Sequence, residues 1–156
     1  MTELKIEKAT AKEIFSTSSE SLKRILIDTF GVETFKKVLW ESITSYEIAI
    51  DALPVDDEDI IYPTDAQYIV ALKQLCHITK VINGDWVADI ENTNQRKWFQ
   101  VFERSGSGFA FSHSSYYYDG RAADVGSRLC CETKEKSDFI GITFLPKFKL
   151  FITNKN

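Results

Sequence analysis

The sequence predicts an α+β fold: a helical N-terminal half, a small antiparallel sheet of about three strands, and a C-terminal helix packed on that sheet. Three observations predict it. Apolar residues recur at helical spacing up to Asn83, most clearly at Ala71, Leu75, Ile78 and Ile82. Between Asn83 and Cys131 the pattern changes to short aromatic runs separated by Gly, Ser, Asn and Asp. Aromatics suit a pleated, half-buried surface, and small polar residues accept turn geometry. After Thr133 apolar residues return at helical spacing, at Phe139, Ile140, Ile142 and Phe144.

At 156 residues and 44% hydrophobic, the chain is long enough to bury a core, and it reads as one domain over residues 1–156. Residues 8–16 read as a short helix with Ala9, Ala11, Ile14 and Phe15 on its apolar side. Ser18 suits the N-cap of a second helix bearing Leu22, Ile25, Leu26 and Phe30, which stops at Gly31. Val32 to Trp40 adds a further turn or two of helix. Thr44 to Glu47 matches a capping box that opens a helix over 45–53, ended by Pro54. The acidic stretch Val55 to Ile60 reads as a solvated connection; it lacks the central Gly and terminal Glu of a calcium loop.

Thr64 to Gln67 matches a second capping box, opening the strongest helix in the chain, with Lys73, Gln74 and Lys80 outward and Asn83-Gly84 as its stop. His77 sits on this helix without a partner evident in sequence, which reads as a surface or boundary position. Trp98 to Glu103 reads as a strand with Trp98, Gln100 and Phe102 on one face and Phe99 and Val101 on the other. Gly108 to Ser112 is its partner, with Phe109 and Phe111 facing together and Ser105 to Gly108 as the hairpin connection. Tyr116 to Gly120 either extends that strand or forms a loop. Arg128 to Glu132 reads as a third strand. Thr133 caps the last helix, Pro146 interrupts it, and residues 146–152 fit helix or strand equally.

Composition narrows function by exclusion. A net charge of -4 and a pI near 5.2 argue against a sequence-independent grip on nucleic acid, which needs a clustered positive face. Met1 to Lys12 lacks the apolar core of a signal peptide and no run of apolar residues is long enough to span a bilayer. The expectation is a cytoplasmic protein with no membrane partner. Cys76, Cys130 and Cys131 are then reduced thiols. Their spacing, with Cys76 and His77 adjacent, matches no metal-ligand pattern, so neither a metal nor a cofactor is expected.

Several phrases together resemble an uncharacterised family of Bacteroidetes bacteria and their phages and prophages. They are Leu22 to Leu26 with Phe30-Gly31, Ala71-Leu72-Lys73, Asn83-x-x-Trp86 with Asp89, Gly106-Ser-Gly-Phe109, and Gly126-Ser-Arg-Leu-Cys130. The chain departs from that pattern at Trp86 to Ile90, where a proline and a second tryptophan are replaced, and at Cys131, where an aromatic is usual. The resemblance implies a phage- or prophage-related accessory or structural protein, in the bacterial host cytoplasm or associated with the virion. It carries no catalytic residue.

Three functions follow from the residues. The first is a non-enzymatic interaction protein whose partner-binding residues are Trp86, Trp98, Phe109, Phe111, Tyr116, Tyr117 and Arg128, because aromatics and Arg carry much interface energy. The second is single-stranded nucleic-acid binding, with bases stacked on exposed aromatics flanked by Arg96, Lys97, Arg104, Arg121 and Arg128. The third is an enzyme drawing on Asp85, Asp89, His113, Asp119, Asp124 and Arg128, centred on Asp119, Asp124 and Arg128. No nucleophile motif supports it, and Arg128 beside Asp119 and Asp124 reads as a structural ion pair.

Overall fold

The chain combines α-helices, short 3-10 turns and one β-hairpin. A computed structural model describes residues 6–15, 17–35, 39–53, 55, 59–106, 108–117 and 126–155. They fall into two compact units, Met1–Leu39 and Trp40–Asn156. The first holds α1 (Lys8–Phe15), α2 (Glu20–Phe30) and a 3-10 turn at Val32–Phe35. Ser19, one residue after the predicted cap, accepts from the Leu22 amide, while Ser18 donates to the Ile14 carbonyl at the end of α1. Within this unit the rings of Phe15 and Phe35 stack at 4.1 Å.

The second unit begins with a 3-10 turn at Trp40–Ser42, followed by α3 (Tyr46–Ala52) and the long α4 (Gln67–Asn83). Both predicted capping boxes are shifted. Ser45, not Thr44, accepts from the Ile48 amide, and α4 starts after Ala66, which makes no side-chain cap bond. Asp65 instead accepts from the Tyr62 amide at 2.9 Å and from Lys73 Nζ at 2.8 Å. Pro54 and Asp56 to Glu58 lie outside the described residues. Gly84 takes a positive φ of 65°, which a side chain would strain, and ends α4 as its sequence predicts.

The sheet has two strands, β1 (Lys97–Ser105) and β2 (Gly108–Tyr117), in antiparallel pairing. The second strand thus runs on through Tyr116 and Tyr117. The pairing slips between Val101 and Phe102, where His113 and Phe111 are the successive partners and Ser112 is the extra residue of a bulge. The bulge reverses the parity of β2, so Phe109, Phe111, Ser114 and Tyr116 all share the face of Trp98, Gln100 and Phe102.

The predicted third strand is absent. Ser127–Leu129 is a 3-10 turn, and only Cys131 pairs with β1, exchanging bonds of 3.0 and 2.7 Å with Trp98. The buried Asn83 side chain holds this segment against α4: Nδ2 donates to the Cys130 carbonyl at 2.8 Å, and Oδ1 accepts from the Glu132 amide at 3.2 Å. A single bridge plus a side-chain clamp satisfies the backbone that a third strand would otherwise have paired.

Thr133 accepts from the Lys136 amide and opens α5 (Lys134–Thr143), which covers the sheet. The chain turns at Phe144, and α6 (Leu145–Thr153) starts with Pro146 in its first turn, where a missing N–H costs no helical bond. Residues 146–152 are therefore helical, and α6 packs chiefly along α4. The core joins Ile43, Ala49, Leu75, Ile78, Ile82, Leu129, Ile140, Phe144 and Phe148. His77 is fully buried among them, its ring edge-on to Tyr46 at 5.8 Å, which corrects the expected surface position.

Helix α5 approaches the sheet most closely at Gly141. A Cβ there would overlap the Phe111 ring edge and stand 3.2 Å from Gln100 Cγ. The Phe111 ring is itself braced by Phe102, with centroids 6.0 Å apart. Gly141→Ala would gain up to about 1 kcal/mol of helix propensity but meets an overpacking cost of roughly 1–3 kcal/mol. Denaturant unfolding should show a net loss, partly recovered when Phe111→Leu is added. Equal or higher stability in the single variant would mean that the helix rides higher on the sheet.

Candidate functional site

The residues expected to bind a partner do not form one surface. The hairpin separates them toward its two ends, and the 3-10 turn carries a third group.

At the end of the hairpin remote from its turn, Trp98 and Tyr116 are cross-strand partners with ring centroids 4.8 Å apart. The Arg96 guanidinium lies 4.6 Å from the Tyr116 centroid and 5.7 Å from that of Trp98. Tyr116 is 46% exposed, whereas Trp98 is half-buried against the core. A cation over aromatic faces is attracted by the ring quadrupole, so this group presents an ordered Arg and an open ring to solvent. Arg96 was expected here only as a flank for nucleic acid.

Tyr117, on the opposite face, is tied down instead. Its ring meets Phe99 at 5.4 Å, and its hydroxyl lies 3.1 Å from Cys130 Sγ. Lys97 on the same face is fully buried, with Nζ donating to the carbonyls of Asn92 and Gln95 at 2.8 Å each. Gln95 in turn binds the Val87 carbonyl and the Asp89 amide, so the loop carrying the half-buried Trp86 is stitched by its own polar groups.

At the turn end, Phe109 stacks on Phe102 at 5.0 Å, and Phe111 faces α5. Phe109 also borders an open cleft of about 550 Å³ between α4 and α6. The sequence signal for that cleft was the spacing of Gln67, Val70 and Gln74 on one stripe of α4, bordering the core stripe at Ala71.

Arg128 belongs to a separate cleft of about 380 Å³, where Nη2 donates to Asp59 Oδ1 at 2.7 Å. This ion pair joins Arg128 to an acid 69 positions away, while the expected partners Asp119 and Asp124 lie outside the described residues. Asp59 is 2% exposed, so the end of the acidic connection is buried rather than solvated. Burial first, then the Asp59 and Glu47 carboxylates, raises the Tyr46 phenol above its ordinary pKa. Asp119, Asp124, Tyr118 and Arg121 lie outside the described residues. Asp85, Asp89 and His113 are exposed, and none hydrogen-bonds to another of these three. Among the described residues, no group of three or more His, Cys, Asp or Glu is placed to hold a metal ion. No described helix is long and apolar enough to cross a membrane.

The three thiols are buried. Cys131 Sγ accepts from Gln100 Nε2 at 3.4 Å, and burial pushes its pKa up to about 12. Burial also raises Cys130, opposed by the Tyr117 hydroxyl and Lys97.

No protein-family model, curated protein or solved structure matches the chain.

Two outcomes are expected. Arg128→Ala removes a charged partner from a buried carboxylate, so it should lower unfolding free energy by roughly 1–3 kcal/mol, with Arg128→Lys recovering only part because it lacks the planar fork. An unchanged denaturation midpoint would show that the pair adds nothing. A thiol reagent at mildly alkaline pH should label the cysteines only as fast as the protein opens. Because Cys131 titrates near 9.0 unfolded and about 12 folded, its contribution to stability should also fall as pH rises through that interval.

Proposed function

We propose that this chain is a non-enzymatic binding protein that docks a protein partner on its Arg96–Trp98–Tyr116 face. The observation that carries the reading is the exposed Tyr116 ring, with an Arg guanidinium over it and a Trp beside it. Trp, Tyr and Arg are the residues most enriched among interface hot spots. An Arg already held on two rings loses less freedom on binding than one extended into water. The family resemblance carried by Asn83-x-x-Trp86 and Gly126 to Cys130 supports a phage or prophage accessory role for that partnership, in the host cytoplasm or the virion.

The same trio is also what a single-stranded nucleic-acid binder would use to stack a base. The net charge of -4 weighs against it, since phosphate contacts supply most of such affinity.

Affinity capture from host lysate with the native chain, Tyr116→Ala and Arg96→Ala separates these readings. A nuclease-resistant protein should be retained by the native chain and lost by Tyr116→Ala, whose truncation costs about 2 kcal/mol or more at a hot spot. Retention by both variants would remove this face from the function. Capture that disappears with nuclease would transfer it to nucleic acid.

A further inference from the structure

The 550 Å³ cleft between α4 and α6 lies outside the Arg96–Trp98–Tyr116 face and has a chemistry of its own. Val70 and Ala71 form its wall on α4, Leu150 faces them from α6, and Phe109 closes the end. That volume is within the usual range for small-molecule sites, which are mostly apolar with a few placed polar groups.

Among the described residues, the charged groups lining it are of one sign. Lys147 and Lys149 line the cleft, and among the described residues no Asp or Glu does. The two lysines are about 200° apart around α6, so they flank the apolar trough rather than sharing one point. The Lys149 ammonium makes no ion pair among the described residues. Lys147 Nζ donates to the neutral Gln74 amide oxygen and lies 5.8 Å from the Tyr46 ring centroid. Burial lowers the pKa of Lys147, and Glu47 raises it in opposition, with no ion pair formed between them among the described residues. The cation is therefore partly dehydrated and held by a neutral acceptor. A carboxylate would make a hydrogen bond roughly twice as strong in that place.

We infer that this cleft binds a single-chain fatty carboxylate, with its hydrocarbon along Val70, Ala71, Phe109 and Leu150 and its head group accepting from Lys147 in place of the Gln74 amide. Charge complementarity selects the head: a cationic amphiphile would bury the same tail but set like charge against Lys147 and Lys149. Apolar area selects the tail, since affinity grows with each methylene buried and acetate has no methylene to bury. The inference does not depend on the protein-docking face.

Sodium dodecanoate, kept below its micelle concentration, is the probe, followed by amide-resolved NMR on the full chain. Saturable shifts are expected at Val70, Ala71, Phe109 and Leu150. Acetate should cause none, and dodecyltrimethylammonium should bind at least about tenfold more weakly, a modest margin for a charge-assisted contact. Lys147→Gln should weaken dodecanoate about tenfold with the rest of the spectrum unchanged. Should that variant not fold, Lys149→Gln and the head-group comparison on the native chain still decide the matter. Equal binding of the cationic amphiphile, or shifts mapping elsewhere, would overturn the inference. So would no binding at all, or cleft resonances that move on dilution of the protein alone, which would mean that a second copy occupies the site.

Discussion

Two hydrogen bonds from the buried Asn83 amide group position the structural centre of the larger unit. Asn83 ends α4, donates to the Cys130 carbonyl and accepts from the Glu132 amide. Those bonds hold Cys130 to Glu132 extended, so that Cys131 faces Trp98 and exchanges two backbone bonds with it. Thr133 follows at once and starts α5, whose close approach at Gly141 sets the distance between helix and sheet. The clamp thus connects α4, β1 and α5, which have no strand or disulfide in common. A buried peptide group left without its partner costs about 1–3 kcal/mol, a large share of the margin that keeps an ordinary domain folded.

Distance in sequence separates what was legible from what was not. The face assignments of β1, the run of α4 to Asn83, and the Thr133 cap follow from periods and local chemistry, and the structure has them. Two N-caps missed by one residue because Ser18 and Ser19, or Thr44 and Ser45, offer nearly the same hydroxyl; the neighbouring backbone decides between them. Thr64 failed for a different reason: Asp65 turns the chain there by accepting from the Tyr62 amide, delaying the helix to Gln67.

Burial of polar groups was the least legible feature. Asp59 sits in an acidic run whose composition signals solvent, yet it is closed under Arg128 from the far end of the chain. His77 lacks a sequence neighbour that would mark it, because Tyr46 reaches it from another helix. The third strand was read from five residues, too few for a period of two to be told from a turn followed by one bridge. The aromatic cluster and the cleft share the same limitation: Arg96, Trp98 and Tyr116 meet only through strand pairing, and Lys147 joins Val70 only through packing of α6 on α4. Asn83 and Cys130 lie 47 positions apart in sequence and are in direct contact, a packing role that no local pattern marks.

The bulge at Ser112 has a consequence for how this hairpin tolerates change in chain length. Side chains alternate across a strand, so Phe109 and Phe111 would oppose Ser114 and Tyr116 if pairing were uninterrupted. One extra residue lets both halves of β2 face α5 and the core. Loss of a single codon there would leave two halves competing for the same register. Keeping Ser114 on Ser137 would turn Phe109 and Phe111 outward; keeping the phenylalanines inward would swing Tyr116 away from Trp98. A deletion that shortens the chain by one residue would therefore act as an inversion of half a strand, and point substitutions in the same stretch would not resemble it.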